Sequence, residues 1–238
     1  LTDIEPLTGT EVLVILTSCE AGKLLTATLR ELGARGSFID KAKALGAVGA
    51  GAAAYNVAIN GSSNTIAGAT TFSNTGTVAL GNGGDTINFT GGVVATAPSA
   101  VTVNGTVTAA GTGVITLGDS NTGVTIGGTS TIGGASTGTI TMGAIALNNN
   151  LTLGAGAATP VSLTTVTGPS SGTSDLTFNT TGSITVSGAI GTNVGTLTIT
   201  NSGGATFSST VGATTVTLTN TTGTIAFNGA LTATTLNT

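Results

Sequence analysis

From Leu176 to Thr238 the chain repeats itself in register, and nothing else in the sequence constrains the fold as strongly. Leu176, Leu197, Val216 and Leu236 open equivalent apolar–polar alternations, at spacings of 21, 19 and 20 along the sequence. Val186, Phe207 and Phe227 follow at 21 and 20, and so do Ile190, Val211 and Leu231. Three apolar columns that keep one register define a structural repeat. Strict alternation marks each segment as a strand with one buried side.

A longer beat precedes this region. Leu80, Leu117 and Leu153, each followed by Gly, recur at spacings of 37 and 36. Ile87, Val124 and Val161 recur at 37, as do Phe89, Ile126 and Leu163, and a second series at 37 runs through Ile66, Val103 and Ile140. Interleaving the two series places coil starts at positions 66, 87, 103, 124, 140, 161, 176, 197, 216 and 236, with a mean spacing of about 19.

A unit of this size cannot bury its apolar side alone, so the units must stack. The expected fold is all-β: a β-solenoid shaft of 19–20-residue coils, each pairing with the next. Ten such coils at a strand spacing of about 4.8 Å make a rod roughly 45 Å long. In the coil opening at Leu197, the alternation places Leu197, Ile199, Ala205, Phe207 and Val211 inside and Thr198, Thr200, Thr206 and Ser208 outside. Gly203 and Gly212 are expected at corners that need unusual backbone angles. Outward Thr favours strands and stays hydrated without stacking like charges coil upon coil.

Charge divides the chain. All five basic residues, Lys23, Arg30, Arg35, Lys41 and Lys43, precede residue 44, and beyond it only Asp85, Asp119 and Asp175 are charged. A shaft without Lys or Arg has no means of replacing phosphate counterions, so no nucleic-acid partner is expected. Mean hydropathy is +0.46. Even so, the most apolar stretches are too short or too rich in Ala and Gly to read as a membrane insertion. Residues 1–45 are expected to form a small α+β anchor module. Its "EVLVIL" segment reads as a strand buried on both sides, and capping boxes at Thr28/Glu31 and Ser37/Asp40 open two helices. A module this small can hardly cover such a strand alone, which implies an oligomer or a docking partner. Residues 46–60 read as an Ala/Gly-rich collar or hinge, and residues 61–238 as the shaft.

Catalytic chemistry has little to build on. There is no His, the three shaft carboxylates are isolated in sequence, and Asp85 and Asp119 each follow a Leu-Gly turn opening that suits a turn-capping carboxylate. The single Cys19 reads as a small buried side chain, no Cys/His cluster suggests a transition metal, and no cofactor is expected. "GNGGDTINF" faintly resembles a Gly/Asp calcium repeat but occurs once. Thr198 with Thr200, and Thr217 with Thr219, would form a hydroxyl ladder of the kind used by ice-binding solenoids. The preceding coil, however, offers Thr177 with Asn179, and Thr is common on every face, so ice binding is not the expected function. The N-x-S/T triplets at Asn88–Thr90 and Asn220–Thr222 follow from the abundance of Asn and Thr.

The opening of the chain, up to Arg35, resembles that of fibre proteins of tailed bacteriophages. The matching features are Leu7, Thr10, Glu11, Val12, Leu13 and Val14, then Gly22 and Lys23, then Leu29 and Leu32. Ile15, with no Pro after "EVL", departs from that pattern, and Leu80 to Gly91 is similar to repeats in such shafts. The resemblance implies a virion-located homotrimer without enzymatic activity. Its N-terminal module would grip a tail, portal or neck protein, and a distal region would bind a host-surface receptor. On this reading the apolar residues Leu7, Val12, Leu13, Val14, Ile15, Leu24, Leu29 and Leu32 carry the virion or oligomer contact. A second family, bacterial surface adhesins of the haemagglutinin or autotransporter-passenger type, shares the Thr/Gly/Asn-rich shaft, especially residues 176–238. Such adhesins open with an export signal, whereas here a compact charged module precedes the repeats. The last coil begins at Leu236, so the natural protein is expected to continue beyond Thr238.

Overall fold

The computed structural model describes residues 53–238, and every element within them is a strand. The anchor module 1–45, its eight apolar contact residues, Cys19 and residues 46–52 of the collar segment lie outside the described residues. The first described strand, Val57–Ile59, falls inside the segment read as a collar and already pairs with the shaft.

The described chain winds into a parallel β-solenoid with three strands per turn. Alternation explains each strand. In Ala100–Ala109, "AVTVNGTVTA", half-buried and buried residues alternate throughout, with Val101, Val103, Val107 and Ala109 inside. Each strand then pairs with its equivalent one turn away. The first face carries nine rungs: Val57, Val78, Val101, Val124, Ile145, Val166, Ile190, Val211 and Leu231. The second face runs through Asn64, Ile87, Val107, Ile132, Leu153, Phe178, Ile199 and Leu218. The first two faces share a 13-stranded sheet because long strands such as Thr77–Phe89 and Ile190–Ser202 turn the corner between them. The third face is a separate eight-stranded sheet through Thr70, Val93, Ile115, Ile140, Val161, Ile184, Ala205 and Ile225.

The coil opening at Leu197 follows its expected pattern: the five apolar residues are buried, and Thr198, Thr200, Thr206 and Ser208 point outward, while Ser202 at the corner is buried. Earlier coils differ from expectation in length. The intervals between successive first-face rungs are 21, 23, 23, 21, 21, 24, 21 and 20 along the sequence. Their mean is about 22, against the expected 19, so nine longer rungs stand where ten shorter coils were expected, and no interval of 16 occurs. The longer beat in the sequence is one turn plus two faces. Leu80 lies on the first face, Leu117 on the third and Leu153 on the second.

Two glycines also have a different cause from the one expected. Neither Gly203 nor Gly212 has a positive φ. A Cβ on Gly203 would sit 2.6 Å from the Thr181 carbonyl oxygen, and one on Gly212 would sit 2.8 Å from the Thr192 Cα. These residues allow one coil to lie close on the next. The unusual angle belongs to the neighbouring Gly204, with φ of 131°.

The core is one apolar column closed by the three faces. Phe72 meets Phe89 edge-on at 6.3 Å, Phe178 meets Phe207 at 6.4 Å, and Phe207 stacks on Phe227 at 4.9 Å with an 8° tilt. The column changes character in the first coil, where Asn64 and Thr70 occupy inward positions held by Ile87 and Val93 one turn later. Side-chain oxygens of Asn64, Thr70 and Asn74 are buried there without hydrogen-bond partners.

Hydroxyl groups stitch the corner between the second and third faces. Ser136 Oγ donates to the Gly113 carbonyl at 2.6 Å, Thr159 Oγ1 to the Ser136 carbonyl, and Thr180 Oγ1 to the Thr159 carbonyl. Ser202 Oγ then meets Thr221 Oγ1 at 3.1 Å. Three of these side chains also accept a bond from the glycine two positions on: Gly138, Gly182 and Gly204. Each is a small ST-turn that satisfies backbone groups a corner would otherwise strand.

Candidate functional site

The three carboxylates of the shaft cap turns. Asp119 Oδ1 accepts the N–H groups of Asn121 and Thr122 at 2.8 and 2.9 Å. Asp85 Oδ2 accepts the Asn82 N–H at 2.8 Å. It closes the excursion Gly81–Gly84, after which strand register resumes at Asp85 opposite Gly105. Asp175 Oδ1 accepts the Thr196 N–H of the following coil at 2.7 Å, while its own N–H donates to Asn150 Oδ1 of the preceding one. All three are committed to the backbone, and they fall on different corners or different coils. Among the described residues no three acidic, Cys or His side chains gather where a metal ion could be held. No described helix is long and apolar enough to cross a membrane.

What the fold brings together is surface. On the second face the outward residue directly between the buried columns is Thr in seven successive rungs: Thr86, Thr106, Thr131, Thr152, Thr177, Thr198 and Thr217. Ser63 precedes this run and Asn237 follows it. The sequence points only to the last three threonines of this row, because its longer beat misplaces the register of the middle coils. Toward the corner a register shift after Phe178 brings Asn179, two positions after Thr177, opposite Asn201, three after Thr198. Asn220 stacks next, and Asn201 Nδ2 donates to Asn179 Oδ1 at 2.8 Å. The equivalent outward row of the first face is mixed: Ala58, Ala79, Thr102, Thr125, Ala146 and Thr167. The third face carries Thr71, Val94, Thr116, Thr141, Ser162, Thr185, Thr206 and Ala226.

The ends of the column contrast with its walls. At the C-terminal end Ile225, Phe227, Leu231 and Ala233 are only partly buried, and Leu236 is 51% exposed. Elsewhere Val114 is the only large apolar side chain among the described residues that is comparably exposed.

The residues described thus define a three-faced parallel β-solenoid whose outward side chains stack in ladders along its faces. Compared with protein-family models, with curated proteins and with solved structures, the chain matches none.

Proposed function

We propose that this chain is a structural, non-enzymatic fibre protein of a tailed bacteriophage, on the tail or the head. In this reading residues 1–45 attach it to the virion, through Leu7, Val12, Leu13, Val14, Ile15, Leu24, Leu29 and Leu32. The solenoid is the shaft that carries a host-receptor-binding region away from the particle. The observation that carries the reading is an apolar column kept in register through nine rungs, with main-chain ladders on all three faces. A continuous column of this kind resists bending, and its ladders leave few backbone groups for a protease to engage. The fibre-like pattern at the start of the chain supplies the attachment end.

Each coil is closed by one chain, so a homotrimer would be held by its N-terminal residues or by side-by-side shafts, not by a shared coil. That same observation favours the second reading, a bacterial surface adhesin with a monomeric passenger shaft. Light scattering on the full chain, together with antibody labelling of phage particles in the electron microscope, separates the two. Trimers and labelled fibres support the virion reading. A monomer whose antibody labels bacterial cells and no particle overturns it.

A further inference from the structure

We propose that the second face of the solenoid binds the surface of ice through its threonine row, an activity separate from any attachment role. Thr106, Thr131, Thr152, Thr177, Thr198 and Thr217 stand directly above one another in consecutive rungs. Parallel pairing therefore fixes their hydroxyls about 4.8 Å apart along the shaft. From Thr106 to Thr198 no hydroxyl of this row hydrogen-bonds to another described residue, and Thr217 Oγ1 only accepts a long bond from Asn237 at 3.4 Å. In the C-terminal coils a second row joins the first, with Thr196, Thr215 and Thr235 in register.

The chemistry of this face narrows its ligand. A flat wall offers no concavity to enclose a small molecule. It has none of the exposed Trp, Tyr or Arg anchors that carry affinity in protein interfaces. Asp85 and Asp175, each bonded to a backbone N–H, are its only charges among the described residues, which gives a charged mineral lattice little to hold. Crystalline polysaccharides are met by exposed aromatic rings stacked on sugar faces, and every described Phe of the middle coils is inside the column. What remains is a periodic surface that exchanges hydrogen bonds with hydroxyls and accommodates their methyl groups. Ice is such a surface. The strand repeat sets the order of the hydroxyls in advance, so binding freezes out little side-chain freedom, and each Thr has only one χ1 to lose.

The test uses the full chain, with ice and with crystalline chitin and cellulose as the probes. Thermal hysteresis and partition into a slowly growing ice hemisphere are measured for the unchanged chain, for Thr152→Lys with Thr177→Lys, and for Thr125→Lys on the first face. Circular dichroism confirms that each variant keeps its strands. The expected result is hysteresis and ice partition in the unchanged chain, lost in the second-face variant and retained in the first-face variant. An unchanged chain that shows neither effect overturns the proposal. Equal loss in both folded variants overturns the assignment to this face, and binding to chitin or cellulose without ice partition replaces the ligand.

Discussion

Replacing Phe207 by Ala should loosen the coils that pack on it and leave distant coils intact. Phe207 is 1% exposed, stacks on Phe227 at 4.9 Å and meets Phe178 edge-on at 6.4 Å. Removing a fully buried Phe costs about 3–5 kcal/mol, because the transfer energy of the ring is lost and a cavity remains. In a stacked array each coil touches only its neighbours, so this cost falls on the contacts of the Phe207 rung with the Phe178 coil before it and the Phe227 rung after it. On its far side Phe207 packs toward Ile225, Phe227, Leu231 and Ala233, which are partly buried. At about 1.4 kcal/mol per factor of ten, opening of the coils around Phe207 should rise by about two to three and a half orders of magnitude. Peptide-resolved hydrogen exchange on the full chain reads this directly. Protection should fall by that factor across Ala205–Phe207, Val211–Thr221 and Ile225–Phe227, and stay unchanged across Thr77–Phe89 and Ala100–Ala109. A loss spread evenly over every rung would refute the nearest-neighbour reasoning, and no loss would refute the packing itself.

Most of the smaller perturbations fall at the corners. Thr180→Val removes a buried hydroxyl that donates to Ala157 and Thr159 and accepts from Gly182. It should cost about 1–3 kcal/mol by denaturant melting. The outward Thr185→Val should stay within about 0.5 kcal/mol of the unchanged chain. In Gly168→Ala the new Cβ would lie 2.1 Å from the Asn193 carbonyl oxygen, so the backbone must shift, at a cost of about 1–3 kcal/mol. Gly84→Ala meets nothing within 4 Å and only has to hold a φ of 70°, so about 1 kcal/mol is expected; a larger loss there than at Gly168 would sink the distinction. Asp119→Ala removes the acceptor for two backbone N–H groups and should cost about 0.5–2 kcal/mol, read as a lower unfolding midpoint.

Which residues face inward was legible throughout, because the period of two is local and survives an error in coil length. Val124, Ile126, Val161 and Leu163 are buried as their alternation requires, although they lie on different faces from those the beat suggested. Coil order was legible only where corners are short. From Leu176 onward the second-face rungs follow at 21, 19 and 20, so the sequence period equals one turn. Earlier corners vary, from the single pair of residues between Met142 and Ile145 to the longer stretch from Gly168 to Asp175. All three faces are built from the same Val-Thr-Ile type of segment, so similarity at the longer spacing says that two strands are alike, not that they stack. The hydroxyl corner was missed, yet it had a signal. Ser136, Thr180 and Ser202 each stand two positions before a Gly, close after a second-face strand or at its end.

Parallel stacking also explains the composition that made the shaft hard to read. Each outward residue lies about 4.8 Å from its counterpart above and below, with no antiparallel partner to offset its charge. A Lys or Glu kept in every repeat would build a row of like charges along the whole shaft, and opposite charges would need two alternating coil types. Uncharged side chains avoid both problems, and ones that bond to their own copies gain from the stack, as Asn201 does with Asn179. The three aspartates that do occur are the exceptions this logic permits. Each sits at a corner, bonded to a backbone N–H, with no acidic residue above or below it. Introducing Asp at Thr152, Thr177 and Thr198 together should therefore lower the midpoint of unfolding far more than three times the single Thr177→Asp change. Added salt should recover much of the difference, since these charges are exposed. If the triple variant melts where three independent single changes would place it, with no salt dependence, repulsion along the stack is not what keeps the shaft neutral.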